Sequence, residues 1–388
     1  MIVKHEKKIP IIKMIKKHIN LFYTSTFILL LLSLTGNAQI VSKEPEDLFT
    51  VGSEAINFHS EINNSDYKLY VNLPASYHHD LAKRYPVFYT LDGYRTFGVA
   101  VQVFDGIWDD GFAPEMIIVG INNGGTNERP TLTRSRDLTP TAIERIASSG
   151  GASTFLKVLS DEIIPMIDSQ YKTDKASRTL AGTSFAGMFT FYTLFTKPNL
   201  FNNYIINNAT FWWDDNYLQK LEETFHQKNK NLNAKVVFMN SEFNDMPNAI
   251  RVYEQIKKHQ YKNLTLGFRK IDNMGHLGGE AEAINQGMRF AYKRPVIKLT
   301  EEELKPYCGT YKDGNYVRQI MIEDGELNLT REGASQGIPI QAITSSEFAI
   351  LGKYFKLHFN RDEKGKVISF TNQLDTDQTR VRTAFKIK

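Results

Sequence analysis

Arg178-Thr179-Leu180-Ala181-Gly182-Thr183-Ser184-Phe185-Ala186-Gly187 is the stretch whose reading decides the fold. A short strand, Arg178 to Ala181, runs into small residues and a serine, and an apolar helical pattern follows from Phe185 to Thr196. This is close to G-x-S-x-G, in which small residues two places before and after the serine let strand and helix approach while a sharp turn exposes the hydroxyl. The second glycine is Ala186 here, one methyl larger. By itself the turn suits a structural role as well as a chemical one, so its surroundings carry the decision.

Working outward, Tyr67 to Leu73 alternates like a half-buried strand, while Val87 to Leu91 and Met116 to Val119 are continuous apolar runs of the kind found inside a parallel sheet. Phe155, Leu159, Ile163 and Ile167 recur every four residues and predict a long helix, which Pro165 should kink near its end. The pattern then predicts strand 178–182, helix 185–196, strand 203–207, a helix after Asp214, strand 235–240, helix 247–259, strand 264–271 and helix 280–292. Repeated βα units of this kind predict an α/β fold with a mostly parallel sheet covered on both faces. Near Pro295 the texture changes. Asp324-Gly325 between two strand-like runs is a two-residue hairpin signal, and Lys364-Gly365 separates Tyr354–Phe359 from Val367–Phe370. Residues 299–388 are therefore expected to form a small antiparallel β-sandwich or barrel, joined to residues 39–295 by a linker around Arg294-Pro295.

The chain has 388 residues, 41% hydrophobic and 23% charged, with one cysteine. That excludes a disordered chain, a disulfide scaffold and a cysteine-ligated metal site. The net charge of +4 is unevenly placed: residues 1–38 carry six lysines against Glu6, or +5, which leaves −1 for the remaining 350 residues. No basic face points to nucleic acid. Residues 1–38 read instead as a secretory signal, with a lysine-rich start, an apolar core around Phe27 to Leu34, and Gly36-Asn37-Ala38 placing small residues before a cleavage after Ala38. That core is shorter than the roughly 18 apolar residues a membrane span needs. The residue directly after the cleavage point is Gln39 and not cysteine, so no lipid anchor is expected there, and the mature protein is expected to be periplasmic or secreted without a stable membrane anchor. Cys308 is expected to be buried as a small apolar residue. The oligomeric state is not specified by the sequence.

A serine hydroxyl is a poor nucleophile at neutral pH, so a histidine must take its proton and a carboxylate must orient that histidine. In this fold the acid and then the histidine follow the serine, each on a loop after a later strand. His226 and His259 fall in helical patterns and His358 in the β module. His276 lies in Asn273-Met274-Gly275-His276-Leu277-Gly278-Gly279, just after strand 264–271, and is the histidine placed correctly. For the acid, strand 236–240 runs into Ser241-Glu242-Phe243-Asn244-Asp245. Glu242 is favoured as nearer the strand end, with Asp245 the alternative and Asp214, Asp215 and Asp272 weaker candidates. The developing oxyanion needs N–H donors. Phe185, directly after the serine, is expected to supply one, and Tyr94, in the turn Leu91-Asp92-Gly93-Tyr94 after an early strand, the other.

Trp212 and Trp213 follow the strand ending near Asn207, on the loop side where ligands bind, so substrate stacking and ordinary packing both remain open. Arg134 and Arg136 flank a loop in which they either hold Asp137 or contact substrate. Asp313, Asp324 and Asp362 sit near glycines, and turn chemistry accounts for them without calcium. No metal and no cofactor is expected.

Together these residues resemble the putative esterase family of the α/β-hydrolases, and within it the subgroup of siderophore trilactone esterases. Other branches include feruloyl esterases, S-formylglutathione hydrolase and mycolyltransferases. The resemblance rests on Tyr85-Pro86-Val87 through Leu91-Asp92-Gly93, Arg134 to Pro140, Gly150-Gly151-Ala152 into Phe155-Leu156, and Glu162 to Ile167. It continues through the elbow Gly182 to Gly187, Phe211-Trp212-Trp213 and Gly275-His276. It implies a serine esterase acting on a small-molecule ester, with Ser184 and His276 in catalysis, Tyr94 and Phe185 as oxyanion donors, and Arg134 near the substrate. Two departures stand out: Ala186, and Asn208-Ala209-Thr210 where the family commonly has Ser-Pro-Ser. They leave open a catalytically degenerate fold used for ligand binding, and an acyltransferase is a further reading because an alcohol can resolve the same acyl-enzyme in place of water.

Overall fold

The computed structural model describes residues 52–123, 131–293, 296–331, 333–350, 352, 355–374 and 382–388. The expected signal at 1–38 and the expected linker at Arg294-Pro295 lie outside the described residues.

Eight strands form one sheet: β1 (Ser53–Ser60), β2 (Ser65–Asn72), β3 (Tyr85–Leu91), β4 (Ile117–Asn123), β5 (Thr173–Thr183), β6 (Asn203–Asn207), β7 (Asn231–Ser241) and β8 (Lys262–Ile271). Their order is β1-β2-β4-β3-β5-β6-β7-β8. The run from β4 to β8 is parallel, and β1 and β2 add an antiparallel edge. Period-two alternation divides the apolar residues between the faces. Val87, Tyr89, Leu91, Ile117, Val119 and Ile121 enter one core, while Phe88, Ile118, Ala181, Ile205, Val237 and Met239 enter the other. A fully buried side chain of this kind contributes about 1.5–3 kcal/mol.

The helices that flank the sheet are α1 (Gly93–Asp109), α2 (Thr131–Leu138), α3 (Ala152–Lys157), α4 (Ile164–Gln170), α5 (Phe185–Thr196), α6 (Trp213–Lys228), α7 (Met246–His259) and α8 (Glu280–Ala291). α1 and α2 have no counterpart among the sequence-based expectations. The expected break near Pro165 takes the form of a π-helical turn, Val158–Ile163, linking α3 to α4. Proline lacks the N–H that would bond to residue 161, and the wider turn absorbs the gap. α6 begins with three left-handed residues, Asp214, Asp215 and Asn216. Left-handed backbone costs roughly 1–2 kcal/mol at each such residue.

The C-terminal strands β9 (Gly309–Asp313), β10 (Tyr316–Glu323), β11 (Glu326–Arg331), β12 (Ile338–Ala342), β13 (Glu347–Ile350), β14 (Phe355–Arg361), β15 (Val367–Leu374) and β16 (Arg382–Lys386) close into an antiparallel barrel. Asp324 and Gly325 both have positive φ between β10 and β11, the conformation of a primed hairpin turn. Tyr307, Tyr311, Phe348, Phe359 and Phe370 fill the interior with ring contacts near 5–6 Å. Cys308 is partly buried against this core, and burial pushes its thiol pKa up. Among the described residues no helix is long and apolar enough to cross a membrane.

Candidate active site

Ser184 sits between β5 and α5 with φ 65° and ψ −120°. A non-glycine residue held there costs about 1–3 kcal/mol and persists only where its surroundings fix it. Three features do so. The Ser184 N–H donates to the Asn207 carbonyl at 3.0 Å, and Asn207 Nδ2 donates to Thr183 Oγ1 at 3.0 Å. A methyl on Gly182 would lie 2.4 Å from the Ala186 carbonyl, so strand and helix touch there. A methyl on Gly187 would lie 2.7 Å from the Asn207 carbonyl. The second close approach is thus supplied by Gly187, one place later than in G-x-S-x-G, and Ala186 is buried without opening the elbow.

His276 lies in the loop between β8 and α8. Its carbonyl accepts from Asn208 Nδ2 at 2.8 Å, and the same buried amide bridges Ser241, donating to Oγ at 2.9 Å and accepting the Ser241 N–H at 2.8 Å. The last residue of β6 and the one after it therefore hold the two loops: Asn207 the serine, Asn208 the histidine. Among the described residues no hydrogen bond joins the Ser184 hydroxyl to the His276 ring, a contact that often tightens only with substrate bound. Desolvation by the surrounding protein lowers the pKa of the otherwise exposed His276 below the ordinary histidine value, and the charges of Arg134 and Arg95 push it the same way against a smaller opposing effect of Glu280.

The oxygen 2.8 Å from His276 Nδ1 is Asn244 Oδ1. Neither carboxylate expected from the sequence occupies that place. Glu242 accepts from the Asn273 N–H at 2.8 Å and from Lys270 Nζ at 3.3 Å, and those two partners hold its carboxyl below the usual range. Asp245 stands at the start of α7 and accepts from Asn248 Nδ2 at 2.7 Å. The reason is register. Glu242 N–H bonds to the Ile271 carbonyl and Phe243 N–H to the Met274 carbonyl, so the two loops zip together beyond β7 and β8 and bring residue 244 opposite residue 276. Asp272 pairs with Lys270, and Asp214 and Asp215 lie in the left-handed turn of α6.

Tyr94 is the second residue of α1 and Phe185 the first of α5, so both N–H groups lie in a first helical turn, where no intrahelical acceptor exists. Arg134 is held by Asp92. Its Nε and Nη2 donate to the two oxygens of Asp92, each at 2.7 Å, and Nη2 reaches the Thr183 carbonyl at 3.4 Å. Its guanidinium lies 5.3 Å from the centroid of the Phe185 ring. Asp92 is left-handed, with φ 56°, and immediately precedes α1. Arg134 thereby ties the turn before Tyr94 to the elbow before Phe185. Arg95 pairs with Glu280 at 2.8 Å, joining α1 to α8. Arg136, by contrast, does hold Asp137, at 2.7 Å.

The tryptophans divide. Trp213 is fully buried, donates from Nε1 to Thr141 Oγ1 at 2.9 Å and packs edge-on against Phe185, which leaves it no face for a ligand. Trp212 is 39% exposed, with Arg145 4.2 Å from its ring centroid. Trp212 and Arg145 line a shallow pocket with Ile143, Glu144, Asp214 and Asp215. Away from the site, His226 and His259 stack on each other, and His259 bonds to the buried Glu222. His358 lies within β14.

Sequence reading missed Asn208, Asn244 and Asp92. Asn208 and Asp92 each adopt positive φ directly after a strand, at φ 43° and 56°, a place where Asn and Asp are favoured. Asn244 carries no comparable local signal.

A serine elbow at the carboxyl edge of a parallel sheet, with a histidine on the loop after the last strand, defines an α/β-hydrolase. The chain belongs to the Esterase family, "Putative esterase", whose model matches residues 60–258. It is thus a carboxylic-ester hydrolase. It is 26% identical over 270 residues to the ferri-bacillibactin esterase BesA of Bacillus subtilis, covering 63% of this chain and 91% of that protein. The same fold occurs in the BES protein from Bacillus cereus, at 24% identity and a TM-score of 0.57 over 64% of this chain and 97% of that one. It occurs again in the siderophore hydrolase EstA from Aspergillus nidulans, at 18% identity and a TM-score of 0.55 over 62% and 94%.

Proposed function

We propose that this chain is an exported serine esterase that opens a siderophore-type ester through an acyl-enzyme. The observation that carries the reading is the strained backbone of Ser184, whose N–H and whose partner loop are held by the adjacent residues Asn207 and Asn208. Strain of this kind is kept where a hydroxyl must be displayed.

In this reading His276 Nε2 takes the proton of Ser184 as Oγ attacks the ester carbonyl carbon. The carbonyl oxygen becomes an oxyanion between the N–H groups of Tyr94 and Phe185, each such donor contributing about 3–4 kcal/mol to lowering the barrier. The tetrahedral intermediate collapses, the C–O bond to the leaving alcohol breaks, and that alcohol takes the proton back from His276. Water then repeats the sequence on the acyl-serine, releasing acid and free enzyme. Export through a leader removed after Ala38 is part of the proposal and rests on the charge and apolar pattern of residues 1–38. The siderophore assignment is supported by the activity named for BesA.

The test is labelling by a fluorophosphonate probe, followed by hydrolysis of trilactone, feruloyl and short-chain acyl esters with Ser184→Ala as blank. Labelling of Ser184 and preference for the trilactone are expected. An unlabelled wild type, or activity surviving in Ser184→Ala, overturns the reading.

A further inference from the structure

We propose that the neutral amide of Asn244, and not a carboxylate, orients His276, so that the proton relay of this esterase is Ser184–His276–Asn244. The proposal rests on the serine-esterase reading above and adds Asn244 as its positioning residue.

The geometry begins with the 2.8 Å contact between His276 Nδ1 and Asn244 Oδ1. An amide oxygen accepts only, so Nδ1 must carry the hydrogen, and the lone pair is then on Nε2, where a base needs it. The opposite rotation of the amide would aim N–H at Nδ1, move the proton to Nε2 and abolish the base. The two nearby carboxylates are engaged elsewhere. Glu242 seals the zipped loops by accepting from the Asn273 N–H and Lys270, and Asp245 accepts from Asn248 at the start of α7. The backbone links Glu242 to Ile271 and Phe243 to Met274 fix residue 244 opposite the imidazole. Asn208, holding the His276 carbonyl, fixes the ring's own backbone. Two neutral amides therefore set the position of the base.

The chemical consequence concerns charge. In a relay with a carboxylate, the imidazolium formed during attack has an anion beside it. Here the charged groups facing His276 are Arg134 from α2 and Arg95 from α1, which disfavour the imidazolium, and Glu280 from α8, which favours it less strongly. Asn244 adds no charge. His276 thus stays neutral, and competent as a base, to lower pH than an ordinary histidine. As pH falls through its depressed pKa the ring protonates and turnover is lost.

The experiment compares pH profiles of kcat/KM for wild type, Asn244→Asp, Asn244→Ala and Glu242→Gln, with fluorophosphonate labelling of each. The wild-type acid limb should lie below the ordinary histidine value of about 6.5. Asn244→Asp, nearly isosteric, should move that limb up by about 1–3 units, because a carboxylate replaces the amide at hydrogen-bond distance. Asn244→Ala should lower kcat on the order of 100-fold with little change in KM, as a free ring loses its aim. Its folding is checked by thermal melting, and Asn244→Asp answers the question if the alanine variant does not fold. Glu242→Gln should leave the limb in place. In ¹⁵N-histidine NMR the wild type should show Nδ1 protonated above the limb, and Asn244→Ala should lose that single tautomer. An unmoved limb in Asn244→Asp, or a Glu242→Gln variant as inactive as His276→Ala while Asn244→Ala keeps wild-type kcat, overturns the relay. Ser184 labelling that persists with indifferent Asn244 variants sinks only the relay, whereas an unlabelled wild type sinks the esterase reading itself.

Discussion

Asn208 Nδ2 donates to the carbonyl oxygen of His276 at 2.8 Å across 68 residues of sequence. The preceding residue, Asn207, accepts the Ser184 N–H through its own carbonyl. The end of a single central strand thus sets the separation of the two loops that carry Ser184 and His276. Because β6 is hydrogen-bonded to β5 on one side and β7 on the other, this anchor belongs to the rigid part of the sheet.

Asn208→Ala removes three side-chain hydrogen bonds and leaves the Ser241 N–H and the His276 carbonyl without that partner. With about 1 kcal/mol net for each bond, a loss of about 2–4 kcal/mol in urea unfolding is expected. Hydrolysis of the preferred ester should fall on the order of 100-fold as His276 drifts. Wild-type kinetics in this variant would show that the histidine loop is held by other contacts.

Arg134 links the turn before Tyr94 to the turn before Phe185 through Asp92 and the Thr183 carbonyl. Arg134→Lys keeps the charge but loses the fork that fits both Asp92 oxygens. It should lower kcat more than it raises KM, whereas a substrate-binding arginine would do the reverse. Breaking the pair completely with Arg134→Ala should destabilise by about 3 kcal/mol, since Asp92 is buried. A double-mutant cycle with Asp92→Asn should be strongly non-additive; additive effects would mean the two residues work separately.

The elbow gives an asymmetric pair. Gly182→Ala places a methyl 2.4 Å from the Ala186 carbonyl and should abolish soluble, active protein. Ala186→Gly restores G-x-S-x-G yet should leave activity within about twofold and lower stability by about 0.5–1 kcal/mol, the usual cost of glycine in a helix. Expression level, thermal melting and turnover of both variants check this.

The two tryptophans should part in the same way. Trp213→Ala empties a fully buried site beneath Phe185 and should cost about 3–5 kcal/mol in stability. Trp212→Ala should leave the melting temperature nearly unchanged. If its exposed ring meets substrate, KM for aromatic esters rises while KM for acetyl esters does not. Equal KM for both in Trp212→Ala would remove it from the substrate pocket.

Elements with a local cause were legible in the sequence. The continuous apolar runs Val87–Leu91 and Met116–Val119 correspond to central strands because side chains on both faces of the sheet enter a core. Asp324-Gly325 became a primed turn because both positions tolerate positive φ. The helix Gly93–Asp109 went unread although it opens on Gly93-Tyr94. Its N-cap, Asp92, makes no side-chain capping bond and faces Arg134 instead, so the ordinary start signal is diverted to a tertiary contact.

The sequence by itself determined the strand-to-helix elbow, the order of the βα units, the hairpins of the C-terminal strands and the placement of Ser184 and His276 on loops after two different strands of the sheet. These follow from steric and hydrophobic rules acting over a few residues. Tertiary structure alone decided which oxygen meets His276 Nδ1, that Arg134 turns inward to Asp92, and that Trp213 is core while Trp212 faces solvent. Each of those outcomes depends on the register in which distant segments dock. A shift of one or two residues exchanges a carboxylate for an amide while leaving every local pattern unchanged.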